Sequence, residues 1–251
     1  MQEESVAAII KKMYLNLPMS QEVTKTDVAY NLKKVRDQMR DAAARAGRDA
    51  ASIRLVAVSK GHGADIIRQA AAAGQTCFGE NYVQSLTTKA KEFPALEWHF
   101  IGHLQKNKIN TLLPHIRCLQ TIDSWALAEA VDRRLPQRLE GLIEVHLGGE
   151  ATKSGCDPKS VIALVEQINR LDHIALRGLM VIPPFLENPE ESRPYFRQIR
   201  TLLEEINRLG AYKTPLTELS MGMSHDFEIA IEEGATIVRV GEAIFGKRSV
   251  F

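Results

Sequence analysis

A lysine directly after an apolar run is the first residue in the sequence that could do chemistry. Lys60 ends the stretch LVAVSK at residues 55–60. If this run is a buried strand, partial desolvation at its end favours the uncharged amine, which can form a Schiff base with an aldehyde. The alternative is a strand-end lysine that extends along apolar surface into water.

A candidate anion site lies near the end of the chain, where Ser224 and Gly241 follow the last two runs of strand character, at 216–221 and 236–240. Serine supplies a hydroxyl donor, and glycine lets phosphate oxygens approach the backbone closely. Arg239 lies inside the second of these runs, where a buried guanidinium needs a partner. That partner could be a bound anion, a polar heterocycle, or an internal acid such as Glu80 or Glu242.

Three more polar residues lie in or just after apolar runs. Asn81 could orient a ring hydroxyl or a carbonyl group, or it could cap the next helix. His99 could face the interior of the fold and His103 lies just beyond the same run, and either could have a structural role only. The small-residue segment 148–155 could be a mobile lid or a simple turn.

The elements that must position these residues alternate between short apolar runs and longer amphipathic stretches. A first helix is predicted over 24–46, with Gly47 as its stop. Strands are predicted at 53–59, 76–79, 97–101, 119–122, 141–147, 175–180, 216–221 and 236–240. Helices are predicted between them at 65–73, 84–91, 106–113, 124–135, 159–171, 189–209 and 227–233.

Eight such units predict the α/β class and a single (β/α)8 barrel of the TIM type. The rival is an open doubly wound sheet, which a glycine-rich phosphate loop after the first strand would favour. Residues 61–63 read GHG, which is not that motif. In a barrel the strand ends form the active site, and phosphate sites commonly follow strands seven and eight. The ligand would then carry an aldehyde at one end and a phosphate at the other.

Length and composition are typical of one globular domain. The chain has 251 residues, 25% of them charged, and a net charge of +1 without a basic block, so neither nucleic acid nor an anionic membrane is indicated as a partner. Three cysteines without metal-ligand spacing predict reduced thiols and no metal site. The absence of a signal-peptide pattern and of a transmembrane span predicts a cytoplasmic protein. Residues 1–22 are predicted to be an N-terminal extension of unknown role, and residues 23–251 the barrel.

Seven motifs, in order from about residue 27 onward, resemble those of the pyridoxal phosphate homeostasis protein family. They are LVAVSK (55–60), FGENYVQ (78–84), WHFIGHLQKNK (98–108), KSG (153–155), RGLM (177–180), LSMGMSHD (219–226) and RVGEAIFG (239–246). The resemblance implies a barrel like the N-terminal domain of alanine racemase and pyridoxal 5′-phosphate as the cofactor.

The resemblance also implies residue roles, with Lys60 as the Schiff-base lysine. The other cofactor-binding positions that it implies are Asn81, Met223, Ser224, Arg239 and Gly241. Of these, Ser224 and Gly241 match positions near the phosphate, and Arg239 could face either the pyridine nitrogen or the phosphate. Two segments depart from the family pattern, GHG at 61–63 and HL at 146–147, and they affect the rim of the site rather than the lysine.

Three functions remain open at this point. The first is intracellular pyridoxal phosphate homeostasis without robust catalysis, in which the protein holds the cofactor and releases it to apo-enzymes. The second is a weak amino-acid racemase, which needs a base on each face of the substrate; Lys60 and a histidine such as His103 could serve. The third is a phosphate-metabolite barrel that uses Lys60 as a plain cation. Because the sequence shows no second domain to build a composite site, we expect a monomer.

Overall fold

Eight parallel strands close into a barrel in the computed structural model, which describes residues 27–148 and 154–246. The strands are β1 Arg54–Val58, β2 Cys77–Glu80, β3 Glu97–Phe100, β4 Cys118–Ile122, β5 Leu139–Val145, β6 Ile174–Val181, β7 Glu218–Ser220 and β8 Ile237–Val240. Each strand pairs with the next, and β1 closes the ring by pairing with β8, where Arg54 lies opposite Ile237. The predicted (β/α)8 barrel is confirmed.

Helices connect successive strands and cover the outside of the barrel. They are α1 Val28–Arg45, α2 Ala64–Ala72, α3 Val83–Glu92, α4 Ile109–Leu112, α5 Trp125–Asp132, α6 Val161–Ile168, α7 Arg193–Leu209, α8 Phe227–Glu232 and α9 Glu242–Phe245. Short 3-10 helices lie at Ala50–Ser52, Lys106–Lys108, Leu113–His115, Pro158–Ser160 and Pro189–Ser192.

The first helix completes the outer ring. Its apolar residues at three- and four-residue spacing are all buried: Val28, Leu32, Val35 and Met39. The helix ends at Arg45, and Gly47 has the left-handed φ of +64° that the predicted stop requires. Because α9, the helix after β8, has only four residues, α1 packs against α8 and α9 and covers this part of the barrel.

The strands alternate between two cores. Side chains that face outward pack under the helices, as Phe78, Trp98 and Phe100 do. A smaller apolar cluster fills the inside of the barrel: Val56, Cys77, Cys118, Leu142, Met180 and Ile237. This inner cluster shares the lumen with buried polar side chains, which belong to the site described below.

Some predicted ends differ from the observed ones. The predicted helix at 106–113 divides into two 3-10 segments around α4, since Pro114 cannot donate the hydrogen bond that a continuing α-helix needs. Strand β5 runs two residues earlier than predicted at both ends, because Leu139 is already buried in the barrel wall. The predicted extension 1–22 and most of the predicted loop 148–155 lie outside the described residues.

All three cysteines are free and buried. In the described part of the chain, no helix has both the length and the apolar character needed to cross a bilayer.

Candidate cofactor site

A cavity of about 270 Å³ opens at the carboxyl ends of the strands. Every binding residue that the sequence analysis proposed lines it: Lys60, Asn81, Met223, Ser224, Arg239 and Gly241. Its size lies just below the roughly 300–1,000 Å³ that is common for small-molecule sites. His62, Ile182, Phe185 and His225 also line the cavity. His62 lies in the GHG segment and His225 in the LSMGMSHD motif, but no binding role had been predicted for any of the four. Their rings and apolar side chains form a rim around the predicted polar groups.

The amine of Lys60 reaches this cavity from the end of β1, where the side chain is partly buried. The strand end below it is firmly held. Ser59 is fully buried, and its backbone N–H donates to the Gly79 carbonyl at 3.0 Å. The Ser59 carbonyl accepts a hydrogen bond from Lys89 Nζ at 2.8 Å. Contacts on both sides therefore fix the backbone from which Lys60 projects.

A buried ion pair lies directly beneath Lys60. Lys89 Nζ contacts Glu80 Oε1, and this carboxylate also accepts hydrogen bonds from Ser59 Oγ at 3.2 Å and from the Asn81 N–H at 3.2 Å. Glu80 has no exposed surface. Sequence reasoning missed this pair, although Lys89 follows Leu86 at the spacing of the buried face of α3. A lysine at a core-facing helix position was the available signal.

A cradle of backbone donors forms where the loops after β7 and β8 meet. The N–H groups of Gly241 and Ala243 both donate to Ser224 Oγ at 3.2 Å. A side chain at Gly241 would bring its Cβ to 3.1 Å from the Val58 carbonyl oxygen, so only glycine fits comfortably. Two N–H donors and a hydroxyl in one loop pair are suited to hold an oxyanion.

The Asn81 side chain carries an unsatisfied acceptor. Its Oδ1 atom is buried and accepts no hydrogen bond from the described residues. Tyr82, not Asn81, is the N-cap of α3, so the capping alternative is wrong. A buried amide oxygen without a partner is costly in free energy. Because Asn81 lines the cavity, a ligand that donates a hydrogen bond would satisfy this atom.

Arg239 is 97% buried inside the barrel, with 3% exposure, yet it forms no ion pair with any described carboxylate. Its Nη1 donates to Ser220 Oγ at 2.7 Å and its Nη2 donates to the Val181 carbonyl at 2.8 Å. Burial lowers the pKa of Arg239 to about 10, while the more distant Asp226 and Glu144 oppose this shift. The internal pair with Glu80 or Glu242 considered from the sequence is therefore wrong.

The two histidines near β3 have different environments. His99 is fully buried and bonds to Gln120 and Glu97, so the prediction that it faces the interior is confirmed. His103 is exposed, with its Nδ1 at 3.8 Å from Asp123 Oδ2, and it does not line the 270 Å³ cavity. The base that the racemase hypothesis assigned to it is not in place.

One described cluster brings metal-ligating groups together at the opposite end of the barrel. Ligand atoms of Cys77, Glu97 and His99 lie within 4.8 Å of one another. The sequence did not indicate this cluster, because the three residues lie on neighbouring strands. Glu97 Oε1 already contacts the His99 ring at 2.8 Å, and Arg54 Nη1 lies 3.5 Å away. The guanidinium opposes a second cation at this carboxylate.

Comparison with known proteins places this geometry in a family. Residues 30–249 match the family described as "Alanine racemase, N-terminal domain". The chain is 43% identical over 222 residues to the pyridoxal phosphate homeostasis protein of Aquifex aeolicus, covering 86% of this chain and 96% of that protein. This chain belongs to the pyridoxal phosphate homeostasis protein family. The recognition made from the seven sequence motifs is confirmed.

Two solved structures extend the comparison. PipY of Synechococcus elongatus PCC7942, solved with PLP bound, is 39% identical, with a TM-score of 0.78, and the match covers 87% of this chain and all of that one. Alanine racemase from Corynebacterium glutamicum is 17% identical, with a TM-score of 0.68, over 89% of this chain and 62% of that one. The second likeness concerns the fold alone, and it confirms the predicted similarity to the alanine racemase barrel.

Proposed function

We propose that this member of the family binds pyridoxal 5′-phosphate in the 270 Å³ cavity and acts in intracellular homeostasis of that cofactor. The observation that carries the proposal is the convergence on one cavity of an amine, an oxyanion cradle and a buried cation: Lys60, Ser224 with Gly241, and Arg239. The PLP-bound state of PipY supports the same assignment.

Lys60 is the proposed covalent anchor. Its uncharged Nζ adds to the cofactor's aldehyde carbon, a C=N bond forms, and the aldehyde oxygen leaves as water with the two amine protons. Addition of water reverses the step and returns both the amine and the aldehyde. The bound cofactor supplies an electrophilic carbon and an electron-withdrawing ring. In this linkage the aldehyde cannot react with other amines, and hydrolysis of the C=N bond can still release it.

The remaining residues orient the two ends of the cofactor. We assign the phosphate to the N–H groups of Gly241 and Ala243 with the Ser224 hydroxyl, because these donors are already gathered at one point. The Asn81 amide, whose Oδ1 has no partner, would contact the ring hydroxyl. Met223 would pack against the ring.

For Arg239 we favour the ring over the phosphate. Its Nη1 and Nη2 are held by Ser220 and by the Val181 carbonyl, inside the barrel rather than in the loop that carries Ser224. The N–H groups left over would face the polar edge of a heterocycle more readily than the phosphate cradle.

We propose that the protein is a binding protein rather than an efficient racemase. The relative in Aquifex aeolicus is named for homeostasis, and His103, the histidine named for the racemase mechanism, lies outside the cavity. His62 and His225 do line it, so turnover assays must show whether either acts as a base. We further propose that it works as a cytoplasmic monomer and passes the cofactor to apo-enzymes. Turnover assays with alanine and other amino acids test the first statement, and light scattering of the purified protein tests the monomer.

The deciding experiment starts with an absorbance spectrum of the protein incubated with pyridoxal 5′-phosphate. Borohydride reduction and peptide mass mapping follow. We expect a visible band and a reduced cofactor adduct on the peptide that carries Lys60. Lys60→Arg keeps the positive charge but cannot form the imine, so it should lose the adduct, whereas exposed Lys91→Ala on α3 should keep it.

Other outcomes would count against the proposal. An adduct that persists in Lys60→Arg contradicts the assignment of the anchor. A wild-type protein that stays colourless with the cofactor would favour the plain phosphate-metabolite barrel, in which Lys60 is only a cation.

A further inference from the structure

A continuous row of hydrogen bonds crosses the inside of the barrel from the cofactor end to the opposite end. Arg239 Nη1 contacts Ser220 Oγ at 2.7 Å, Ser220 Oγ contacts Gln120 Oε1 at 2.6 Å, and Gln120 Nε2 contacts His99 Nδ1 at 2.7 Å. His99 Nε2 then contacts Glu97 Oε1 at 2.8 Å. Strands β7 and β4 are not neighbours, so the bond from Ser220 to Gln120 must span the lumen.

The interior of this row is shielded from bulk solvent. Gln120 and His99 have no exposed surface, and Ser220 has 1%. At the far terminus the Glu97 side chain is 35% exposed, and at the near terminus Arg239 lines the cofactor cavity. Buried polar groups of this kind must satisfy one another, because no water replaces a lost partner.

The direction of every bond in the row follows from its two ends, because Glu97 can only accept and Arg239 can only donate. A carboxylate only accepts, so His99 must donate from Nε2 to Glu97, and its Nδ1 is left to accept from the Gln120 amide. The Gln120 amide must then turn its NH2 group towards His99 and its oxygen towards Ser220. The Ser220 hydroxyl must donate to that oxygen, and its lone pair is left to accept from Arg239. A negative charge at one end of the barrel is thereby connected to a positive charge at the other.

We propose that Glu97, acting through His99, Gln120 and Ser220, is a positioning residue for Arg239. The group at the remote end of the barrel therefore decides how the guanidinium faces the cofactor pocket. This inference rests on the proposed function only for its effect on the cofactor, while its effect on Arg239 stands without it. Replacing the carboxylate with an amide, which can both donate and accept, leaves Arg239 as the only fixed end. The reversed row, in which the Ser220 hydroxyl loses its Gln120 acceptor, then becomes accessible.

The first test needs no cofactor and uses Glu97→Gln with Glu140→Gln as its matched control. Glu140 lies at the same end of the barrel, pairs with Arg117 at 3.4 Å and Arg177 at 3.1 Å, and is not part of the row. Both changes remove one negative charge. Nitrogen-15 NMR of labelled histidine reports the His99 tautomer, and hydrogen exchange of labelled arginine reports how firmly the Arg239 guanidinium is held.

Wild-type protein and Glu140→Gln should show His99 with a proton on Nε2 and slowly exchanging Arg239 protons. Glu97→Gln should show both tautomers of His99 and faster exchange at Arg239. The inference is overturned if His99 keeps one tautomer and Arg239 exchanges equally slowly in all three proteins.

The second test titrates pyridoxal 5′-phosphate into the same three proteins and follows the visible band. Glu97→Gln should weaken binding by about 3- to 30-fold, the range over which remote contacts alter coupling, and it should move the absorption maximum. Glu140→Gln should change neither. If Glu97→Gln binds the cofactor as wild type does and its absorption maximum is unchanged, the proposed effect of Glu97 on the cofactor site is contradicted.

A third variant breaks the row near its cofactor end. Ser220→Ala removes one buried heavy atom, and Cys118→Ala removes one from the same inner core without removing a hydrogen bond of the row. Only Ser220→Ala should reproduce the band shift and the faster Arg239 exchange. If wild-type protein forms no band at all, the proposed function fails, and the His99 and Arg239 signals still decide this inference.

Discussion

Two buried cations in the same barrel are compensated in opposite ways. Lys89 contacts the fully buried carboxylate of Glu80 and also donates to the Ser59 carbonyl at 2.8 Å. Arg239 is buried to a similar degree, yet its hydrogen-bond partners are the neutral Ser220 hydroxyl and the Val181 carbonyl. Burial lowers the pKa of Arg239 to about 10, so it remains charged at neutral pH without a carboxylate against it.

The difference separates a structural charge from a functional one. A cation that is neutralised by its own neighbour supports the fold and has little left to offer a ligand. A cation held by neutral acceptors keeps most of its field available, and ligand-binding sites commonly contain such strongly perturbed groups. The lysine pair secures the backbone beneath Lys60, whereas the arginine remains available to the cofactor.

The largest expected effect comes from breaking the lysine pair. Lys89→Met leaves Glu80 as a buried charge without a cation, and loss of one partner of a buried pair typically costs about 3–5 kcal/mol in the free energy of unfolding. Urea denaturation measures this. The double variant Lys89→Met with Glu80→Gln should recover most of the loss. If the single variant is as stable as wild type, Lys89 is not the structural charge described here.

Arg239→Met should change the stability of the protein little and its affinity for the cofactor strongly. It removes a charge that is poorly compensated, so we expect a stability change of about 1 kcal/mol or less. Cofactor affinity should fall by about 2 kcal/mol, or about 30-fold, since hydrogen bonds to charged groups are the strong ones. Titration with pyridoxal phosphate and with pyridoxal should give similar losses if Arg239 contacts the ring. A loss confined to the phosphorylated ligand would reassign Arg239 to the phosphate.

Ser224→Ala provides the complementary case at the other end of the ligand. Removing the hydroxyl should weaken pyridoxal phosphate binding by about 1.5 kcal/mol, or about tenfold. Binding of pyridoxal, which lacks the phosphate, should not change. Equal losses for both ligands would show that Ser224 shapes the cavity rather than contacts the phosphate.

The smallest expected effect concerns Glu144, the carboxylate whose charge reaches Arg239 from a distance. Burial raises the pKa of Glu144, and the Ser154 hydroxyl at 3.2 Å and the charge of Arg239 oppose the rise. A raised pKa in the folded state stabilises the protein below the unfolded value of about 4.5, and this contribution is lost as pH rises through the folded value.

Wild-type protein should therefore lose stability relative to Glu144→Gln as the pH rises above the unfolded pKa of about 4.5. Thermal melts of both proteins between pH 4 and pH 7 measure the difference in Tm. It should stay within roughly 2–4 °C, which corresponds to about 1 kcal/mol for a domain of this size. The Tm difference made by Glu144→Gln should be larger when both proteins also carry Arg239→Met, because the cation that favours the ionised form of Glu144 is then absent. A gap that narrows as pH rises would contradict the direction of the shift.

The sequence predicted the architecture because its information is local. Apolar runs of strand length alternate with amphipathic stretches, and chemistry at strand ends follows from parallel barrel geometry. Lys60, Ser224 and Gly241 could be found in this way, since each directly follows an apolar run. Asn81 was found in the same way, and the family motifs then added Met223, which no pattern of hydrophobicity marks.

The partners of the buried polar groups could not be predicted because they depend on the closed fold. Ser220 and Gln120 are 100 residues apart in the chain and meet only across the lumen. Lys89 and Glu80 are close in sequence, but their contact requires α3 to fold back over β2. Arg239 could be recognised as an anomaly in an apolar run, while its neutral partners could not.

In the proposed function, the Ser224 hydroxyl affects how the phosphate of the cofactor is released. Its oxygen accepts hydrogen bonds from the N–H groups of Gly241 and Ala243, at 3.2 Å each. When a phosphate departs, rotation of one side chain gives both donors an acceptor again, so no backbone donor is stranded. A protein that passes its cofactor to other enzymes, as we propose for this one, must be able to release it. Because the Ser224 hydroxyl can replace the phosphate oxygen as acceptor, the free energies of the cofactor-bound and cofactor-free forms should lie closer together. Exchange of the cofactor then needs no rearrangement of the barrel.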